Sequence, residues 1–191
     1  MTVTKEKTIE FWEFLKNYYN IKIIDKNDSS SMKMVGWFLD AIGILDKENF
    51  LKQFTTTINQ RIYVPFKIGE GNEEQLWGQI RTGVHEVIHA QQAKKEGFVT
   101  FSYHYVSNKN KRAEYEAEAY RSEMVLDWAR KGSFRQPSEI VQSLKSYGVG
   151  KKQIDFAQKY LEVSIPGVKM GSHFNDVTKM GLFWLKANKV L

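Results

Sequence analysis

The residues best suited to chemistry in this chain are two histidines four positions apart, His85 and His89, with Glu86 directly after the first. On an α-helix, residues i and i+4 differ by about 40° around the axis and one turn along it, so both imidazoles can reach a common point. The pattern His-Glu-x-x-His therefore places a metal-binding pair beside a potential general base. For a chain of this composition, about 0.006 matches to the pattern are expected by chance. The alternative is a pair of surface histidines on a solvated helix face.

A third ligand is expected, because a catalytic zinc ion is typically held by three protein ligands with one position left for water. The chain has no Cys and only two further His, so a carboxylate is the expected third ligand. Acidic residues occupy three alternate positions that begin 25 residues after His89: Glu114, Glu116 and Glu118. Alternate positions on a helix point in different directions, so we expect one of them to reach the metal. The apolar periodicity of this segment favours Glu116, and Glu118 and Glu114 remain open.

Two helices must position these residues. The first spans about 72–97: Asn72 is a capping residue, Gln75 stands at the capping-box position, and Gly97 is a stop signal. Its apolar stripe lies on a different side from the histidines, and it consists of Leu76, Ile80, Val84, Val87 and Ile88. The second helix, at about 112–131, carries the glutamates, and its alanines would allow a close approach between the two backbones.

The rest of the chain predicts a mainly helical α+β fold in a single domain, residues 1–191, with a metal-binding core at about 57–131 and a helical C-terminal part at about 138–191. Thr57–Ile68 is rich in β-branched and aromatic residues and predicts a strand, which Pro65 indicates to be an edge strand. Phe98–Val106 predicts a second strand. The remaining helices are expected at about 6–19, 32–44, 47–56, 138–147, 151–162 and 175–188.

Composition excludes several functions. The absence of Cys excludes disulfide scaffolds, thiol nucleophiles and Cys-ligated metal sites, and 42% hydrophobic residues are typical of a folded chain. The net charge of +6 arises from scattered lysines, with the densest cluster at Lys109, Lys111 and Arg112, so we do not expect nucleic acid as the partner. With neither a signal-peptide pattern nor a membrane-spanning apolar run, we expect a cytoplasmic protein without a membrane partner.

The segments HEVIHAQQ (85–92) and YEAEAY (115–120) resemble the zincin metallopeptidases, specifically the gluzincin-like arrangement of two HExxH histidines and a glutamate on a following helix. They are also similar to small peptidase-type proteins of bacteria and phages, so a phage origin is one expectation. In the related pattern Glu-x-x-Ala the first Glu is the ligand, which corresponds to Glu116 here. The resemblance covers about residues 78–124. It implies a minimal zincin-like domain with an active-site helix, a glutamate helix and a small sheet.

The resemblance also implies a zinc-dependent hydrolase, acting on a peptide or protein substrate, in which Glu86 is the general base for a zinc-activated water. Tyr120 and His173 are the leading candidates for stabilising the transition state, ahead of Tyr103, His104 and Tyr105. By analogy, the segment Ile62-Tyr63-Val64 would bind an extended peptide as an edge strand.

Two other functions compete with the hydrolase. One is a catalytically silent metal-binding domain with a structural or interaction role, such as a virion or regulatory component. The other is a helical nucleic-acid-binding protein. The oligomeric state is open.

Overall fold

The computed structural model describes residues 2–26 and 55–191. Within these ranges the predicted fold class is confirmed: the chain is mainly helical, with a small mixed sheet. The helices are α1 (Lys5–Tyr19), α2 (Glu73–Glu96), α3 (Phe98–Ser107), α4 (Lys109–Lys131), α5 (Pro137–Ile140), α6 (Lys151–Lys169) and α7 (Asp176–Ala187), with a 3-10 helix (Val141–Tyr147) directly after α5. The strands are β1 (Lys22–Asp25), β2 (Thr56–Ile58) and β3 (Arg61–Val64). The helix predicted at 32–44 lies outside the described residues, as does most of the one predicted at 47–56, whose last residue instead begins β2.

Helix α2 is the centre of the fold. It begins where the sequence predicts, because Asn72 and Gln75 form a capping box that satisfies two otherwise free backbone N–H groups. Helices α1, α3, α4 and α7 and the sheet all pack against α2, so that even its polar side is buried. Helix α1 lies close to α2 at Gly83, where a Cβ atom would lie 2.9 Å from the side chain of Leu15. His85, Glu86 and His89 therefore lie, buried, in the middle of a helix that has neighbours on several sides.

The predicted strand at Thr57–Ile68 is two strands, because a two-residue turn divides it after Ile58. Asn59 adopts a left-handed conformation at φ 57°, which asparagine tolerates better than most residues, and the chain returns as β3. The sheet order is β1-β3-β2, with β3 parallel to β1 and antiparallel to β2. The prediction of an edge strand at Ile62-Tyr63-Val64 is therefore wrong: β3 is the central strand, and Pro65 lies just beyond its end, where it interrupts no pairing.

The prediction of a strand at Phe98–Val106 is also wrong, because this segment forms helix α3. Its β-branched and aromatic composition favours a strand, but the packing follows a helical spacing. Phe101 and Tyr105, four residues apart, are both buried, and their rings contact that of Tyr115 on α4. Gly97, at φ 84°, lets the chain turn directly from α2 into α3. Tertiary contacts therefore override the local preference.

The C-terminal part is helical as predicted, with different boundaries. The helix expected at about 138–147 is the short α5 followed by the 3-10 helix, and the one expected at 151–162 continues through Pro166 to Lys169 as α6. Helix α7 begins after Asn175, whose side chain accepts a hydrogen bond from the Thr178 N–H. Helix α6 packs on α4, and α7 packs on both α2 and α4. No helix in the described part of the chain is long and apolar enough to cross a bilayer.

Candidate metal centre

Three potential ligand residues meet where α2 packs on α4. The Nε2 atoms of His85 and His89 are 3.2 Å apart. Glu116 of α4 directs one carboxylate oxygen at each of them: Oε2 lies 3.4 Å from His85 Nε2, and Oε1 lies 3.2 Å from His89 Nε2. All three residues are buried, which excludes the alternative of histidines on a solvated helix face. The cluster could hold a metal ion, and Glu116 is the carboxylate of the 114–118 run that reaches it.

The spacing of the two histidine nitrogens fits a tetrahedral ion. Ligand atoms about 2.0–2.1 Å from a zinc ion at tetrahedral angles lie roughly 3.3 Å from one another, and the two Nε2 atoms are 3.2 Å apart. Glu116 places a different oxygen near each nitrogen, and one ligand atom from each of the three residues lies within 4.8 Å of the other two. Oε2 of Glu116 is also buried without a hydrogen-bond partner among the described residues. A buried carboxylate oxygen left in this state is costly unless a cation satisfies it.

The remaining nitrogen of each imidazole is held by a separate acceptor. His85 Nδ1 lies 2.8 Å from Oε1 of Glu123 on α4, and His89 Nδ1 lies 2.9 Å from Oε1 of Gln92, one turn along α2. Both acceptors are oxygens, so each Nδ1 carries the proton and each Nε2 of a neutral ring presents its lone pair to the centre of the cluster. This is the tautomer that metal coordination requires, and such outer partners orient the ligands of most metal sites.

The electrostatics of the cluster favour positive charge at its centre. Burial opposes the charged form of His85, but Glu116 and Glu123 outweigh burial and raise the pKa of His85 well above its usual range. Burial likewise lowers the pKa of His89, but the contact with Glu116 outweighs burial, and the net effect is a raised pKa. Burial would raise the pKa of Glu116, yet the two histidines hold that pKa well below its ordinary range. A cation at this point would therefore meet a carboxylate that stays charged.

Tyr105 of α3 holds the carboxylate of Glu116 in position. Its hydroxyl donates a 2.5 Å hydrogen bond to Oε1 of Glu116, and burial together with the Glu116 charge raises the pKa of Tyr105, so the hydroxyl keeps its proton. Arg112, which is 2% exposed, holds α3 in place by donating hydrogen bonds to the backbone carbonyls of Tyr105, Val106 and Tyr147. The segment predicted as a strand thus supplies a direct partner of Glu116.

A small cavity of about 160 Å³ adjoins His85 and Glu86. Oε2 of Glu86 accepts a 2.6 Å hydrogen bond from the Thr57 hydroxyl of β2, and Glu86 does not belong to the three-residue cluster. The other lining residues are Thr55, Phe66, Thr82, Tyr120, Glu123 and Tyr147. Glu86 therefore lines a cavity that also reaches His85 and is large enough for a small chemical group.

Of the two leading candidates for transition-state stabilisation, the structure brings one to the cavity. The Tyr120 ring packs against His85 with 4.9 Å between ring centroids. Its hydroxyl donates to Ser143, because the Ser143 hydroxyl itself donates to the Ile140 carbonyl. His173 is exposed in the turn before α7, and none of its described contacts involves the cluster.

The other sequence candidates lie away from the cluster. Tyr103 is exposed, and His104 contacts Glu96 and the Tyr115 hydroxyl. Glu114 is exposed and forms an ion pair with Lys111. Glu118 contacts Gln92 rather than the histidines.

Sequence reasoning missed the roles of Glu123 and Gln92. The HExxH pattern predicts where the histidines point but not what their second nitrogens contact. Gln92 stands three residues after His89, one helical turn on, a spacing that could have indicated the contact. Glu123 stands seven residues after Glu116 on the same face of α4, so helical periodicity offered a signal for this residue too.

Comparisons of the chain with protein-family models, with curated proteins and with solved structures returned no match.

Proposed function

We propose that this protein is a zinc-dependent hydrolase that cleaves peptide bonds. The observation that carries the proposal is the convergence of His85, His89 and Glu116, whose ligand atoms lie within 4.8 Å of one another, with Glu86 lining the adjoining cavity. Three protein ligands leave a fourth position for water or substrate, as in catalytic rather than structural zinc sites.

Two imidazoles and one carboxylate are a ligand set that suits zinc, and no thiolate is needed. When bound, zinc would supply a Lewis acid for a substrate carbonyl and lower the pKa of a bound water to about 7. The chain's own contribution is the shape of the site. Glu123 and Gln92 hold the imidazoles in the coordinating tautomer, and Tyr105 holds the carboxylate.

Glu86 is the general base in this proposal. Thr57 donates to one oxygen of its carboxylate, which fixes the orientation of the group. A carboxylate held beside the nucleophilic water can accept its proton and then deliver that proton to the leaving amine. Glu86 follows His85 directly on α2, so the base and the ligands share one rigid helix.

The burial of the cluster favours a second candidate, a metal-binding domain without turnover. His85 and His89 are each only 6% exposed and Glu116 is 0% exposed, which is also typical of closed structural sites. The densest basic cluster does not support nucleic-acid binding. Arg112 is buried and bonded to backbone carbonyls, and Lys111 forms an ion pair with Glu114.

The decisive experiment compares the wild type with Glu86→Gln. Both proteins are loaded with zinc, the metal content is measured, and cleavage of a mixed peptide library is followed by mass spectrometry. We expect about one zinc per chain in both proteins and cleavage by the wild type alone. Glu74→Gln is the matched control, because Glu74 lies on the same helix, exposed and paired with Lys131; it should cleave like the wild type.

Equal cleavage by the wild type and Glu86→Gln would contradict the assignment of the base. Zinc binding without cleavage by any of the proteins would favour the structural alternative. Replacement of Glu116 by Ala should weaken zinc binding by about 10- to 100-fold or more, since it removes a ligand. An unchanged affinity would remove Glu116 from the ligand set.

A further inference from the structure

Gln92 makes hydrogen bonds with both ends of its amide. Its Oε1 lies 2.9 Å from His89 Nδ1, and its Nε2 donates to Oε2 of Glu118 at 2.8 Å and to the Tyr115 carbonyl at 3.4 Å. An amide has one accepting and one donating end, so the partners of one end decide what the other end presents. These partners therefore fix which end of the Gln92 amide faces His89.

The strongest partner on the donating side is the Glu118 carboxylate, which accepts hydrogen bonds but donates none when ionised. It compels Gln92 to turn Nε2 toward α4 and Oε1 toward His89. The oxygen can only accept, so His89 must carry its proton on Nδ1 and present the lone pair of Nε2 to the cluster. A reversed amide would direct an N–H at Nδ1 and place the His89 proton on Nε2, where a metal must bind.

We propose that Glu118 is a positioning residue of the metal centre, acting through Gln92 to select the coordinating tautomer of His89. The proposal rests on the metal site proposed above, and it assigns a role to a second member of the acidic run. Glu116 would be the ligand. Glu118, two positions further along the same helix, would orient Gln92, the partner of the ligand His89.

The third member of the run provides a control. Glu114 and Glu118 both border a groove of about 990 Å³, which Gln92 also lines, and both lie on α4. Glu114 is exposed and paired with Lys111, whereas Glu118 is half-buried and bonded to Gln92. Glu114→Lys thus makes the same charge change on the same helix without touching the amide.

The experiment measures zinc affinity, by competition with a chelator, for the wild type and for Glu118→Gln, Glu118→Ala, Glu118→Lys and Glu114→Lys. We expect Glu118→Gln to match the wild type, because the new amide still offers an accepting oxygen to Gln92. Glu118→Ala should bind about 10-fold more weakly, in the range found when outer partners of metal ligands are removed. Glu118→Lys should bind about 100-fold more weakly, because a cationic donor attracts Oε1 of Gln92 and reverses the amide.

A spectroscopic measurement separates positioning from general destabilisation. In the zinc-loaded wild type, the hydrogen-bonded Nδ1–H of His89 should give a proton–nitrogen NMR signal. Glu118→Gln should preserve this signal, and Glu118→Lys should lose it. Glu114→Lys should keep both the signal and wild-type affinity.

Equal loss of affinity in Glu118→Lys and Glu114→Lys would overturn the inference, since charge alone would then explain the effect. So would a Glu118→Ala protein with wild-type affinity and an unchanged His89 signal; this conservative change at a half-buried position keeps the test valid if the lysine variant does not fold. A wild type that binds no zinc would instead contradict the metal proposal itself, and the inference with it.

Discussion

The hydrogen bond from Tyr105 to Glu116 permits a sharp test, because the chain contains a matched pair of tyrosines. Tyr105 and Tyr115 are both buried, and their rings are nearly parallel with 6.4 Å between centroids. Each hydroxyl donates to a glutamate, Tyr105 to Glu116 at 2.5 Å and Tyr115 to Glu96 at 2.6 Å. Only the first glutamate belongs to the metal cluster. Replacing each tyrosine by phenylalanine therefore removes the same atom from similar surroundings.

The expected costs differ because the acceptors differ in burial. Glu116 is fully buried, so losing a hydrogen bond to its charged carboxylate should lower the free energy of unfolding by about 2 kcal/mol in metal-free Tyr105→Phe. The Glu96 side chain is 31% exposed, and water can replace the lost donor, so Tyr115→Phe should cost about 1 kcal/mol or less. Urea unfolding in the presence of a chelator measures both values.

Zinc affinity provides the second measurement. Tyr105→Phe should bind zinc about 10-fold more weakly, because the carboxylate loses the contact that fixes its position, whereas Tyr115→Phe should bind like the wild type. If Tyr105→Phe kept wild-type zinc affinity, or if both variants lost affinity equally, the reasoning that α3 positions the third ligand would be refuted.

Three further predictions concern the surrounding fold. Arg112→Met should lower the free energy of unfolding by about 3 kcal/mol or more in urea titrations, because three backbone carbonyls lose a buried donor; a loss below about 1 kcal/mol would contradict this. Asn72→Ala should cost about 1 kcal/mol through loss of the capping box, and a neutral effect would argue against the cap. Burial lowers the pKa of Lys26 to about 8, although Glu86 acts in the opposite direction. Between pH 8 and 10 the unfolded state then binds more protons than the folded state, so wild-type stability should rise with pH relative to Lys26→Met, by about 2–3 kcal/mol. A pH-independent difference between the two proteins would refute the lowered pKa.

The parts of the fold that the sequence predicted are those specified by local signals. Helix α2 follows from the Asn72 capping box and the Gly97 stop, and Glu116 follows from the helical periodicity of its segment. Helix α3 could not be predicted in this way, because its aromatic and β-branched residues favour a strand and only their contacts with α4 make them helical. The role of Tyr105 was missed for the same reason.

The sheet shows a second limit of local reasoning. The composition of Thr57–Ile68 correctly indicated β structure, but Asn59 gave a weaker turn signal than a glycine would have given, and the single predicted strand is a hairpin. Proline within a strand indicates an edge, but Pro65 lies one residue beyond β3, where it leaves the pairing intact. The strand order depends on β3 pairing with β1, which is distant in sequence, and no local pattern predicts that contact.

If His85, His89 and Glu116 bind one metal ion together, the ion should be visible in a crystal of the zinc-soaked protein measured at the zinc absorption edge. We expect one anomalous peak per chain, about 2.0–2.1 Å from Nε2 of both histidines and from a carboxylate oxygen of Glu116. No peak at this position, or a peak bound by other residues while this cluster stays empty, would contradict joint binding by these three residues.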